Sequence, residues 1–405
     1  MAVRKTAKTT KGSKAPEETG HAEQMQYAEH FKAVAAAAEQ NYPDALHAWM
    51  HEEKIKQHWM SSGSVSLDMA LGGLGLPCGR LIEAWGPTGA GKTSLALEIA
   101  WHIQRNTGKG IVFMDVEHKF DRSLLFQWRG GFDPNLTKFV EPNSGEEAFG
   151  IMQQYVQNPG TGLIILDSVS GIVATDILED EKGKNPIGHQ SRLIAQYLPK
   201  ISGWASKTGV SILLVNQIRA KIVNQQGGTV NPKVMGVARL TKSGGNALDH
   251  WICVSLFVDK TAKDKDYFND GSKQTGHWAK VLVYKNHAGP TIFKDFHLCL
   301  QYGKGFDDVM ELVDRGVQLG IVSRAGAWYS VQDKRAQGLV NLVSTCRENP
   351  GILDYIRAEI KNMITSGIVL EPSTLETGPE GLSWDGPDVG VEVLLPITDS
   401  TQVDP

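Results

Sequence analysis

The stretch Gly86-Pro87-Thr88-Gly89-Ala90-Gly91-Lys92-Thr93 constrains this chain more than any other. It follows an apolar run, Leu81–Trp85, and precedes a helical pattern from Ser94 to Gln104. A glycine-rich turn between a strand and a helix, ending in Gly-Lys-Thr, is the P-loop pattern. Its glycines let the backbone curl so that N–H groups point at phosphate oxygens. The following helix N-terminus adds a favourable dipole. Lys92 would neutralise β/γ-phosphate charge, and Thr93 would ligate Mg²⁺. The candidate nucleotide ligands are therefore Gly86, Pro87, Thr88, Gly89, Ala90, Gly91, Lys92, Thr93 and Ser94.

Further apolar runs occupy Ile111–Met114, Leu163–Leu166, Ile212–Val215, Ile252–Val258, Val281–Tyr284 and Ile292–Leu300. Several are apolar throughout, as strands buried on both faces should be. Their alternation with helical stretches predicts an α/β fold with a largely parallel sheet. In such sheets ligands collect at the carboxyl ends of strands. Three polar clusters stand at those ends: Asp115-Val116-Glu117-His118, Asp167-Ser168 and Asn216-Gln217. Asp167 would join the Mg²⁺ shell, Glu117 could take a proton from an attacking water, and Gln217 could hydrogen-bond the γ-phosphate. Read alone, the Glu117 and Gln217 clusters fit turn and cap positions better than catalytic ones.

Charge is unevenly placed. Net charge is -4, which argues against a uniformly basic nucleic-acid coat but leaves room for local basic loops. Residues 1–14 carry Arg4, Lys5, Lys8, Lys11 and Lys14 and no acid, whereas residues 368–405 carry eight carboxylates and no Lys or Arg. Cys78, Cys253, Cys299 and Cys346 show no CxxC spacing, which fits a reducing compartment. There is no signal-peptide pattern and no membrane-length apolar run, so a cytoplasmic location with no membrane partner is expected.

The expected organisation has five parts. Residues 1–20 read as a disordered basic tail, and 21–58 as an N-terminal segment whose residues 21–40 form a helix with Tyr27, Phe31, Val34 and Ala35 on one face. Residues 59–305 form the α/β core. Residues 306–367 form a small mixed domain with helices near Met310–Leu319 and Leu353–Met363. Residues 368–405 are an acidic disordered tail.

These motifs together resemble the bacterial and phage RecA family. Ser62-Gly63-Ser64-Val65-Ser66-Leu67-Asp68 and Gly79-Arg80 precede the P-loop. Asp115-Val116-Glu117-His118, Asn216-Gln217-Ile218-Arg219, Gly244-Gly245-Asn246-Ala247-Leu248 and Ala325-Gly326-Ala327-Trp328-Tyr329-Ser330 follow in the family's order. The resemblance runs from about residue 22 to 366. It implies a RecA-type P-loop ATPase core, an N-terminal polymerisation helix docking on the adjacent subunit, and a small α+β C-terminal domain. It implies a DNA-dependent ATPase using ATP and Mg²⁺. Such a protein polymerises on single-stranded DNA as a homo-oligomeric helical filament, pairs with homologous double-stranded DNA and exchanges strands. Mediator or single-strand-binding proteins are implied as possible partners.

The resemblance also implies residue roles. Glu117 is similar to the catalytic glutamate, Gln217 to the γ-phosphate sensor, and Asp121 to an adenine contact. Lys285 matches a lysine that reaches a neighbour's ATP. Ile187 and Arg192 match DNA contacts of a first loop, Thr175–Arg192. Arg219, Lys221 and Ile222 match contacts of a second, Ile218–Ser243. Gly244, Gly245 and Asn246 continue that surface through backbone N–H groups. Basic groups and N–H donors hold phosphates without reading sequence, while an apolar side chain can wedge between bases.

The chain also departs from the family. The second loop is long and carries Asn224-Gln225-Gln226-Gly227-Gly228. Leu124 replaces a stacking Tyr, His287 a second lysine, and Asp249 and His250 a basic residue and a Phe. Two other readings remain at this point, a RecA-core helicase motor and an ATP-gated single-strand coat without exchange activity.

Overall fold

A computed structural model describes residues 29–38, 40–41, 57–175, 189–220, 240–261, 268–270, 273–291 and 294–366. Residues 1–20, Ile187, Lys221, Ile222 and residues 368–405 lie outside this set, as do the side chains of Arg219 and Asn246.

The P-loop run forms β1 (Leu81–Gly86), followed by α1 (Lys92–Thr107). Next come β2 (Gly110–Asp115), β3 (Thr137–Val140), α2 (Gly145–Val156) and β4 (Thr161–Asp167). The chain continues through α3 (His189–Thr208), β5 (Ser211–Ala220), β6 (Leu240–Lys242) and α4 (Gly245–Trp251). Strands β7 (Ile252–Lys260), β8 (Gly276–Asn286), β9 (Asp295–Gln301) and β10 (Gly305–Phe306) complete the core.

These strands make one 10-stranded sheet in the order β10-β9-β8-β7-β1-β5-β4-β2-β3, with β6 paired to the far end of β5. From β7 to β3 every pairing is parallel, and β8, β9 and β10 add antiparallel strands on one side. All six residues of β1 are buried, because helices cover both faces of the sheet centre. One face packs Leu95, Ile99 and Ile103 of α1, and the other packs Phe149 and Met152 of α2 with Ile194 and Leu198 of α3. Strand β3 has no place among the predicted apolar runs, since at the sheet edge its Thr-Lys-Phe-Val sequence is only partly buried.

The small domain holds α5 (Asp308–Gln318), a three-stranded sheet of β11 (Ser323–Ala325), β12 (Trp328–Val331) and β13 (Lys334–Gln337), then α6 (Leu339–Glu348) and α7 (Pro350–Thr365). Two helical segments are predicted there, and the structure has three. Helix α6 is rich in Val, Asn, Ser and Thr, weak helix formers, and its helicity comes from burying Leu342, Val343 and Cys346. The domain's core continues into Met69, Trp278 and Cys299 of the ATPase core.

Residues 29–38 are helical, with Phe31 76% and Val34 68% exposed. Among the described residues no helix is long and apolar enough to cross a membrane.

Candidate functional site

Strands β1, β2, β4 and β5 lie side by side, so the polar groups at their carboxyl ends meet over the P-loop. The turn needs its glycines. A side chain at Gly86 would place its Cβ 1.9 Å from the Val258 carbonyl oxygen, and Gly91, which caps α1, has φ 102°. The Lys92 ammonium donates to the Gly86 and Pro87 carbonyls at 3.0 and 2.7 Å. His277 contacts the Ala90 carbonyl at 3.3 Å and the Tyr302 hydroxyl at 3.1 Å, tying the loop to β8.

A cavity of about 420 Å³ opens beside the loop. Thr88, Gly89, Lys92, Thr93 and Ser94 line one wall, and Glu117, Asp167 and Gln217 another. Phe120, Asp121, Leu124 and Trp128 line a third, more apolar part. This volume suits a small organic ligand.

The Thr93 hydroxyl donates to Asp167 Oδ2 at 2.6 Å. Burial pushes the Asp167 carboxyl up to about 6, the Glu117 and Asp115 carboxylates add to the push, and Thr93 and Lys92 oppose it. A hydroxyl and a carboxylate in a pocket crowded with negative charge form a donor set that fits a hard divalent cation. Burial lowers the Lys92 ammonium, with Asp167 and Glu117 opposing.

Asp115 is buried and accepts from the Glu117 and Phe120 N–H groups at 3.1 and 2.8 Å, which shapes the turn carrying Glu117. Glu117 accepts from Gln217 Nε2 at 2.7 Å and Ser170 Oγ at 3.2 Å, and also from the Ser168 hydroxyl. Burial raises its carboxyl, but the hydrogen bonds from Ser168, Lys119 and Ser170 outweigh that, so the net displacement is downward. Ser168 and Ser170 had only one sequence signal, their position just after Asp167.

Lys285 lies outside this cavity. Its ammonium donates to the Asp249 carbonyl at 2.7 Å. Arg192 is exposed on α3. The start of α4 packs beside it: a Cβ on Gly244 would lie 3.0 Å from Ile194 Cδ1, and one on Gly245 3.6 Å from Ser191 Oγ. Arg219 sits on β5 opposite Thr241 of β6. The last residues of the first candidate DNA loop therefore lie beside the residues that follow the second.

Sheet order, P-loop and the Thr93–Asp167 pair define an α/β P-loop ATPase. Residues 32–307 match the RecA N-terminal domain family, and residues 310–365 match the RecA C-terminal domain family. Protein RecA of Chloroherpeton thalassium is 36% identical over 316 residues, 78% of this chain and 83% of the relative. Protein RecA of Chlorobaculum tepidum is 36% identical over 319 residues, 78% of this chain and 86% of the relative. Protein RecA of Gloeobacter violaceus is 33% identical over 378 residues, 93% of this chain and 97% of the relative. The chain belongs to the RecA family of recombinases. It is thus a DNA-dependent ATPase of recombination and repair that binds ATP and DNA.

Proposed function

We propose that the protein polymerises on single-stranded DNA as a helical filament with Mg²⁺ and ATP, and exchanges that strand into homologous duplex. The observation that carries this is the 2.7 Å hydrogen bond from Gln217 to Glu117 inside the P-loop cavity. Gln217 lies on β5, four residues before the second candidate DNA loop leaves the described strand. A change of partner at Gln217 is thereby linked along one strand to the DNA surface.

In this reading Lys92 and the P-loop N–H groups bind the phosphates, Thr93 and Asp167 would hold Mg²⁺, and Asp121 with Leu124 faces the base. Mg²⁺ would neutralise phosphate charge. Glu117 accepts the proton of the water that attacks the γ-phosphorus as the bond to the bridging oxygen breaks and ADP leaves. Arg192, Arg219, Lys221, Gly244, Gly245 and Asn246 contact phosphates, and Ile187 and Ile222 separate bases. Lys285 reaches a neighbouring subunit's nucleotide. The exposed Phe31 and Val34 support docking of the N-terminal helix on an adjacent subunit. Family membership supports a cytoplasmic location and supplies the context for mediator or single-strand-binding proteins as partners.

Glu117→Gln should keep ATP and DNA binding and lower hydrolysis by about 10²-fold or more. Turnover near the wild-type rate would remove Glu117 from the mechanism. Strand exchange with homologous but not heterologous duplex is the expected activity; a helicase would unwind both, and a passive coat would exchange neither.

A further inference from the structure

Glu83 is 0% exposed, in the middle of the strand that carries the P-loop. Its Oε1 accepts from Asn216 Nδ2 at 3.0 Å, and its Oε2 accepts from Ser255 Oγ at 2.9 Å and from Lys242 Nζ at 2.6 Å. A buried carboxylate is costly unless it is both hydrogen-bonded and paired with a cation. Lys242 is that cation. It is the last residue of β6, where the long second loop returns to the sheet, and β6 pairs with β5 at Ile218.

The Lys242 side chain is only 11% exposed and also meets Asp249 Oδ1 at 2.6 Å. Its ammonium lies 5.0 Å from the ring centre of Trp85, next to the P-loop, and 5.8 Å from that of Tyr284. Burial lowers the Lys242 ammonium, but Glu83 and Asp249 outweigh that and raise it. The same network reaches the nucleotide cavity. Asn216 Nδ2 also donates to the Ser243 carbonyl at 2.9 Å, and Asn216 Oδ1 accepts from the Gln217 N–H at 2.8 Å. The Gln217 side chain holds Glu117.

We propose that Lys242 is a positioning residue that fastens the returning end of the second loop to β1, so that the loop's pose follows the state of the nucleotide site. Its pairing with Glu83 fixes one end of the loop while Gln217 sits at the other. Without the pair, β6 keeps its three residues of ladder and the neutral Asn216 bridge from Ser243 to Glu83, but no charge fastens the loop end to the P-loop strand. The reaction itself does not pass through Lys242, which lines no part of the cavity. The proposal rests on reading residues 218–243 as a DNA-binding loop.

The test is the affinity of the full chain for a fluorescent oligo(dT), with a non-hydrolysable ATP analogue and with ADP. Lys242→Met keeps the aliphatic stem against Trp85 and Tyr284 and removes the charge. The ratio of the two dissociation constants should fall about tenfold or more, within the range usual for coupled sites. Nucleotide affinity without DNA should stay within about twofold of wild type, since the cavity is untouched; a general packing defect would move it. If Lys242→Met does not fold, Glu83→Gln/Lys242→Met leaves neither charge unpaired and should show the same loss. A folded variant that keeps the wild-type ratio overturns the proposal while the DNA-loop reading stands. A wild type with no nucleotide-dependent ratio also overturns the proposal, and a wild type that does not bind the oligonucleotide overturns the DNA-loop reading with it.

Discussion

Glu311 offers a direct test of how the small domain is joined to the ATPase core. It lies on α5, 3% exposed, and its Oε1 accepts from Ser64 Oγ at 2.7 Å and from the Ser66 N–H at 2.8 Å. Ser64 caps the short helix Val65–Ala70, so this carboxyl pins the core's Ser-Gly-Ser turn to the first turns of the domain. Burial pushes the Glu311 carboxyl from 4.5 up to about 7, against the pull of the Ser64 and Ser66 hydrogen bonds, and Asp308 adds to the rise. A carboxyl raised in the folded state contributes stability that is fully present below its unfolded value. That contribution is lost as pH rises through the folded value. At about 1.4 kcal/mol per pKa unit, the rise from 4.5 to about 7 amounts to about 3.5 kcal/mol at pH well above 7. Glu311→Gln keeps an oxygen for both serine donors and never ionises. It should therefore nearly match wild type at pH 4 and exceed it at pH 8.5 by roughly 4–6 °C in melting temperature, given the usual unfolding entropy per residue. Melts of both proteins at the two pH values decide the matter. An equal difference at pH 4 and pH 8.5 would refute the argument that burial of this carboxyl outweighs its hydrogen bonds and the nearby Arg315.

Two further perturbations address other parts of the molecule. Arg129 has φ 48°, in the left-handed region, and meets Glu98 Oε1 at 2.6 Å, the Phe306 carbonyl at 2.7 Å and Asp308. Arg129→Ala leaves the buried Glu98 without this cation and should cost about 3 kcal/mol or more in denaturant unfolding. Arg129→Gly should cost about 1 kcal/mol less, because glycine tolerates that backbone; the reverse order would mean that strain is not part of the balance. For the DNA surface, alanine at both Arg219 and Lys221 should flatten the salt dependence of single-strand binding. The log–log slope should fall by about 0.7 for each lost phosphate contact. Weaker binding with an unchanged slope would show that these residues act through folding.

The sequence by itself determined the phosphate-binding loop and the strand ends that surround it. The P-loop, Asp167, Glu117 and Gln217 each stand in a short local pattern, and an apolar run before each marks a strand end. Parallel strands buried on both faces leave so regular a trace that the sheet class was legible from them. Helix α6 and strand β3 were not legible, because one has weak intrinsic propensity and the other a half-exposed edge sequence; packing alone selects their conformations. Tertiary structure also decided which polar groups meet. Gln217 reaches Glu117 across 100 residues, Lys242 reaches Glu83 across 159, and Arg129 reaches Asp308 across 179. A lone Glu in an apolar strand or a lone Lys at a loop end carries no mark of its partner. Burial makes an unpaired charge costly, so the fold brings a distant counter-charge to it, and only the packed chain shows which one.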